Sequence, residues 1–101
     1  MNLIRNILPE AEEDIESHGD YIFERNPSAA LRFADAVNET IKMLLGNPNL
    51  GERFRADLTG QIRFRTISGF RNYLIFYRQV DTVLEIIRVL HGARDYEDWF
   101  D

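Results

Sequence analysis

The chain has no cysteine, which removes disulfides, thiolate nucleophiles and cysteine-ligated metals together. Histidine is nearly missing as well: His18 and His91 are the whole supply, so no histidine cluster exists to hold a metal, and no cofactor is expected. Lysine is reduced to Lys42, the other eleven of the 12 basic residues being arginine. The cationic chemistry is therefore planar and bidentate, suited to phosphate, carboxylate and aromatic faces. Long apolar runs are missing too, because Pro9 and the acidic Glu10, Glu12, Glu13 and Asp14 interrupt the start at once. Neither a signal peptide nor a membrane span is expected, and the cytoplasm is the default location. No repeat and no low-complexity segment is found.

What is present fits one α+β domain spanning residues 1–101, burying roughly 60–70% of its surface on folding. The net charge of −5 disfavours binding to free nucleic acid or to a membrane surface. Its distribution is uneven. Residues 1–50 carry four basic and nine acidic groups, residues 51–94 eight and four, and residues 95–101 four acidic groups with no basic one. An acidic front and an acidic tail flank a basic middle.

Leu3 to Leu8 is too short for a helix and is ended by Pro9, which predicts a first strand. Carboxylates then crowd the positive end of a helix over about 10–25, with Ala11, Ile15, Gly19, Ile22 and Phe23 on one face and His18 on the surface. Asn26-Pro27 closes that helix and opens the next, because Asn caps well and Pro suits the first helical position. Ala30, Phe33, Val37, Ile41 and Leu44 form its apolar stripe, which Gly46-Asn47-Pro48 ends. Residues 51–60 read as a loop or short edge strand.

Three strands follow, around Ile62–Thr66, Tyr73–Tyr77 and Val83–Leu90, with turns at Ser68-Gly69 and Asp81-Thr82. The order β-α-α-β-β-β predicts an antiparallel meander with an N-terminal helix hairpin on one face. The last two strands are apolar at odd and even positions, so the other face is not plain solvent surface. With a two-residue turn at Asp81-Thr82, Arg78 faces Glu85 and Tyr77 faces Ile86. Arg71, Tyr73 and Arg88 then share one face, and Arg78, Glu85 and His91 the other.

The run from Phe70, FRNYLIFYRQVDTVLEIIRVLHGARD, resembles the C-terminal half of ParE toxins, in the ParE/RelE superfamily of bacterial toxin-antitoxin systems. Tyr73, Ile75, Tyr77, Arg78 and the octet Arg88 to Asp95 carry the likeness. Ala11, Asp14 and Ile15, then Pro27, Ala30 and Phe33, then Pro48, Gly51 and Arg53 extend it upstream. The resemblance implies a RelE-like fold, a cognate antitoxin (ParD-like or similar) that wraps the chain, and a toxic activity that the wrapping suppresses. ParE-like members are similar to gyrase poisons; RelE-like members cut mRNA on the ribosome.

RNA cleavage needs a base, a proton donor and cations at the scissile phosphate. Arg94 stands where RelE-like enzymes have an arginine, and His91 is the candidate base. Leu74 and Phe100 replace the arginine and tyrosine the nuclease pattern carries, and Lys42 lies on a helix. Inhibition by contact needs only arginines and aromatics on a rigid surface. Arg63, Arg65, Arg71, Tyr73, Arg78, Arg88 and Arg94, with Trp99 of the tail, are the candidates for binding gyrase or the antitoxin. A degenerate member that keeps antitoxin binding without toxicity is a further alternative, and a homodimer or a hetero-oligomer with the antitoxin is open. The plainer readings are a packed His91, an Arg94-Asp95 pair that pins the last turn, solvated Arg63 and Arg65, an ordinary Arg78–Glu85 cross-strand pair, and Tyr73 and Tyr77 in the core. The tail from Asp95 is expected to form a short helix, capped by Asp95 and docked through Trp99 and Phe100; the alternative is a partner-binding tail in which those aromatics anchor a second subunit or the target.

Overall fold

A computed structural model describes residues 2–57 and 60–98. In chain order it contains β1 (Ile4–Ile7), α1 (Pro9–Arg25), α2 (Pro27–Gly46), a 3₁₀ turn (Pro48–Leu50), β2 (Glu52–Asp57), β3 (Gly60–Ile67), β4 (Phe70–Val80), β5 (Val83–His91) and a last 3₁₀ turn (Tyr96–Asp98). The expected α+β order is present. Segment 52–57, read as loop or edge strand, is the edge strand: Phe54 anchors it through edge contacts with Phe64 and Phe76, at ring-centroid distances of 6.3 and 5.2 Å.

The sheet order is β1-β5-β4-β3-β2, with β1 parallel to β5 and the other four strands forming the antiparallel meander. One residue, Asn26, connects the helices. Its N–H closes α1 on the Ile22 carbonyl, and its side chain accepts from Ala29 N at 3.1 Å to start α2. Among the described residues no helix is long and apolar enough to cross a membrane.

The hairpin covers one face of the sheet. Ala11 and Phe33, Val37, Ile41 and Leu44 bury against Ile67, Tyr73, Ile75, Tyr77, Leu84, Ile86 and Val89. On the opposite face Ile62, Leu74, Phe76 and Leu90 make a second buried cluster with Phe54, Phe64 and Ile87, as the two-sided apolar pattern of the last strands requires.

Two local expectations change. The buried stripe of α1 is Ala11, Ile15, His18 and Ile22, steps of four, three and four, so His18 is buried where a surface residue was expected. Phe23, one residue and about 100° further round the helix, is 58% exposed. The second change is in β4–β5. The tight turn, with Asp81 at φ 55°, gives the expected Tyr77–Ile86 and Arg78–Glu85 pairs. A bulge between Phe76 and Tyr77 then shifts the register, so that His91 faces Tyr73 and lies on the helix side, not with Arg78 and Glu85, while Arg88 pairs with Phe76 of the opposite face and does not share a face with Tyr73.

β1 is too short to cover all of β5. Its last ladder bond runs from Leu8 N to Ile86 O at 3.0 Å. Beyond it, side chains of α1 stand in for a strand: Val89 N donates to Asp14 Oδ2 at 2.9 Å, and His18 Nε2 donates to Val89 O at 2.7 Å. Asp14 and His18 are one helical turn apart, which places both on the same edge.

Candidate functional site

The arginines predicted to form one surface divide into three groups. Arg88 and Arg78 are neutralised inside the fold. Arg88 forms a fork on Asp14, Nε to Oδ2 at 2.7 Å and an NH2 nitrogen to Oδ1 at 3.0 Å, with Glu10 at 3.8 Å. That hydrogen-bonded carboxylate, with Glu10 behind it, holds the guanidinium pKa above its ordinary value against the opposing effect of burial. Arg78 Nε donates to Glu85 Oε1 at 2.7 Å, the cross-strand pair the turn predicts.

The second group surrounds the 48–51 turn. Arg63 donates to Gly51 O at 2.9 Å and Arg65 to Leu50 O at 3.3 Å. Arg53 is exposed and pairs opposite Arg63 across β2–β3, which sets like charges side by side. Tyr77 lies beneath this turn. Its hydroxyl accepts from Gly51 N at 2.8 Å and donates to Pro48 O at 2.7 Å. Burial pushes the Tyr77 pKa up, while the Gly51 N–H and the nearby Arg63 and Arg65 pull against it. The hydroxyl approaches so closely that a Cβ on residue 51 would collide with it and with Phe64 O at 2.8 Å, which is why Gly stands there.

The third group is the end of β5. Tyr73 sits among His18, Phe33 and His91 at centroid distances of 4.9, 5.0 and 5.0 Å. Arg94 donates to its hydroxyl at 2.8 Å and lies 3.9 Å over the ring of Tyr21. His91 Nδ1 accepts from the backbone N–H of Ala93 at 3.2 Å and of Arg94 at 3.0 Å, while His91 N donates to Asp95 Oδ2 at 2.8 Å. Burial pushes the His91 pKa down; Arg94 and His18 add to this, and Asp95 works against it. The neutral ring thus carries its proton on Nε2, and its free lone pair is already occupied. Asp95 Oδ2 also stands 3.7 Å from His18 Nε2.

Of the predicted residues, Tyr73, His91 and Arg94 come together at the end of β5, and Arg63 and Arg65 at the 48–51 turn. Arg71 is exposed at the start of β4. Trp99 and Phe100 lie outside the described residues; Asp95 binds His91 N through its side chain, and its carbonyl accepts from Asp98 N at 2.8 Å in the last turn. Tyr21, His18 and the Tyr77 latch escaped sequence reasoning. Spacing alone would have found His18, since it completes the stripe of Ala11, Ile15 and Ile22.

A family model described as the ParE toxin of the type II toxin-antitoxin system parDE matches residues 6–96. Among solved structures, a chain from the chromosomal ParDE toxin-antitoxin system of P. aeruginosa superposes with a TM-score of 0.72 at 19% identity, covering 88% of this chain and 95% of that one. At that identity the likeness speaks for the fold. No curated protein matches the sequence.

Proposed function

Since the chain belongs to the ParE toxin family of type II toxin-antitoxin systems, we propose that it arrests growth by binding DNA gyrase and is held inactive by a cognate, ParD-like antitoxin. The antitoxin is inferred from the ParDE system that contains the structural relative. The observation that favours contact inhibition over RNA cleavage is the condition of His91. Its Nδ1 lone pair accepts two backbone N–H groups and its Nε2 carries the proton, so the ring cannot take a proton from a 2′-hydroxyl. The neighbouring Arg94 is engaged by Tyr73 and Tyr21.

The test is induced expression in a bacterial host, with gyrase supercoiling and in vitro translation assayed on the purified protein. Growth arrest, blocked supercoiling and intact mRNA are expected. Cleavage of mRNA on translating ribosomes would overturn the reading in favour of a RelE-type nuclease. Absence of arrest would mark a degenerate member.

A further inference from the structure

We propose that the cleft between the 48–51 turn and strands β3 and β4 is a carboxylate-binding surface that receives an acidic segment of a partner polypeptide. The proposal rests on the reading of the chain as one that works with a second polypeptide, and adds where and by what chemistry that polypeptide is held.

The cleft has a volume of about 120 Å³ and is lined by Asn49, Gln61, Arg63, Tyr77, Arg78 and Gln79 together with Pro48; among the described residues no aspartate or glutamate lines it. Its neutral donors are largely engaged. The Gln61 amide nitrogen donates to Arg55 O and Ile62 O, the Gln79 amide nitrogen to Asp81 O, and the Tyr77 hydroxyl to Pro48 O. Arg78 already has Glu85. The remaining positive charge belongs to Arg63, with Arg65 and Arg53 alongside.

These three differ from the fold's structural arginines. Arg78 and Arg88 each meet a carboxylate, whereas Arg63 and Arg65 are bonded to the backbone carbonyls of Gly51 and Leu50, which take none of their charge. A guanidinium has five N–H donors, so a single carbonyl leaves most of the fork open. Arg53 opposite Arg63 is a like-charge pair that weakens the β2–β3 edge. A carboxylate from outside would relieve that repulsion and match the planar fork.

A polypeptide fits better than a nucleic acid. The chain as a whole is −5, and the outer side of α1 exposes Glu12, Glu13, Glu16 and Asp20. A duplex with about one charge per 1.7 Å would meet that field along its length. A peptide with intermittent carboxylates engages the local patch alone.

The test is fluorescence anisotropy of the full chain with a short labelled peptide of alternating glutamate and alanine, a lysine–alanine counterpart and an oligothymidylate of matched charge. Saturable binding of the glutamate peptide is expected, weakened by salt. Arg53→Gln should lower its affinity by about threefold and Arg53→Gln/Arg65→Gln by about tenfold or more, with Lys42→Gln on α2 as the unchanged control. Among the described residues the exposed Arg53 side chain has no hydrogen bond or ion pair, so the single variant keeps the test sound if the double variant melts early. Lack of binding, unchanged affinity in Arg53→Gln, or tighter binding of the oligothymidylate would overturn the proposal. So would a homodimer, seen by light scattering, that Arg53→Gln dissociates, because a second copy would then be the occupant. Failure of the two readings is separable: peptide binding without growth arrest removes the toxin reading and leaves the cleft, and arrest without peptide binding does the reverse.

Discussion

His91 shows how one side chain can look catalytic in sequence and be structural in space. A histidine beside arginine at a strand end suggests a base, but its Nδ1 holds the turn that follows the strand by accepting from Ala93 and Arg94. Protonation would replace that acceptor with a donor. Because burial, Arg94 and His18 lower its pKa in the fold below the ordinary 6.5, the unfolded chain takes the proton first. The stability it contributes is therefore present above about pH 6.5 and is lost as pH falls through the lower folded value. In thermal melts, the wild type should lose more stability than His91→Gln between pH 7 and pH 5; parallel curves would refute this. Alternation could not show any of this: the bulge that turns His91 toward Tyr73 comes from the pairing of two strands and leaves no mark on either alone.

At the scale of elements, the helix–helix junction, the turns and the apolar stripes follow from local rules. Asn26-Pro27 ends one helix and starts the next because capping and the fixed proline φ act within a few residues. Completion of the β5 edge is different in kind. Asp14 is legible as an acidic residue in the first part of a helix, yet here it joins Val89 N and the Arg88 guanidinium more than seventy residues away. Removing it leaves a largely buried cation with Glu10 at 3.8 Å and a ladder N–H without its acceptor. Asp14→Ala should cost about 2–4 kcal/mol by urea denaturation. Asp14→Asn, which retains an acceptor for Val89, should lose roughly half as much. The Val89 amide should exchange faster in the alanine variant, and unchanged exchange would show that another group closes the edge.

Across the whole molecule, arginines of equal standing in the sequence become unequal. Arg88 is part of the α1–β5 joint, whereas Arg71 is exposed. Arg71→Ala is expected to change stability by less than about 0.5 kcal/mol, and Arg88→Ala to lower it by about 2–4 kcal/mol. Denaturation midpoints read both, and any loss of toxicity in Arg88→Ala must be compared at equal folded fraction. The same sorting shows where a surface role belongs. A charge matched within the chain stabilises the chain; a charge set against its own kind awaits something else.

By itself the sequence determined the first strand, the helix hairpin and the last three strands in their order, the two-sided apolar sheet and the turn register at Asp81-Thr82, because each is set by periodicity or by residues a few positions apart; that segment 52–57 is an edge strand was left open by it. It also carried the family likeness, through the run from Arg88 to Asp95. Tertiary structure alone decided that Arg88 meets Asp14 while Arg63 and Arg65 meet backbone carbonyls, that His18 serves β5 as part of a missing strand, and that His91 is tied rather than free. Those outcomes depend on one bulge and on contacts between distant segments. A register shift of one residue changes which face a side chain occupies, and composition carries no record of it.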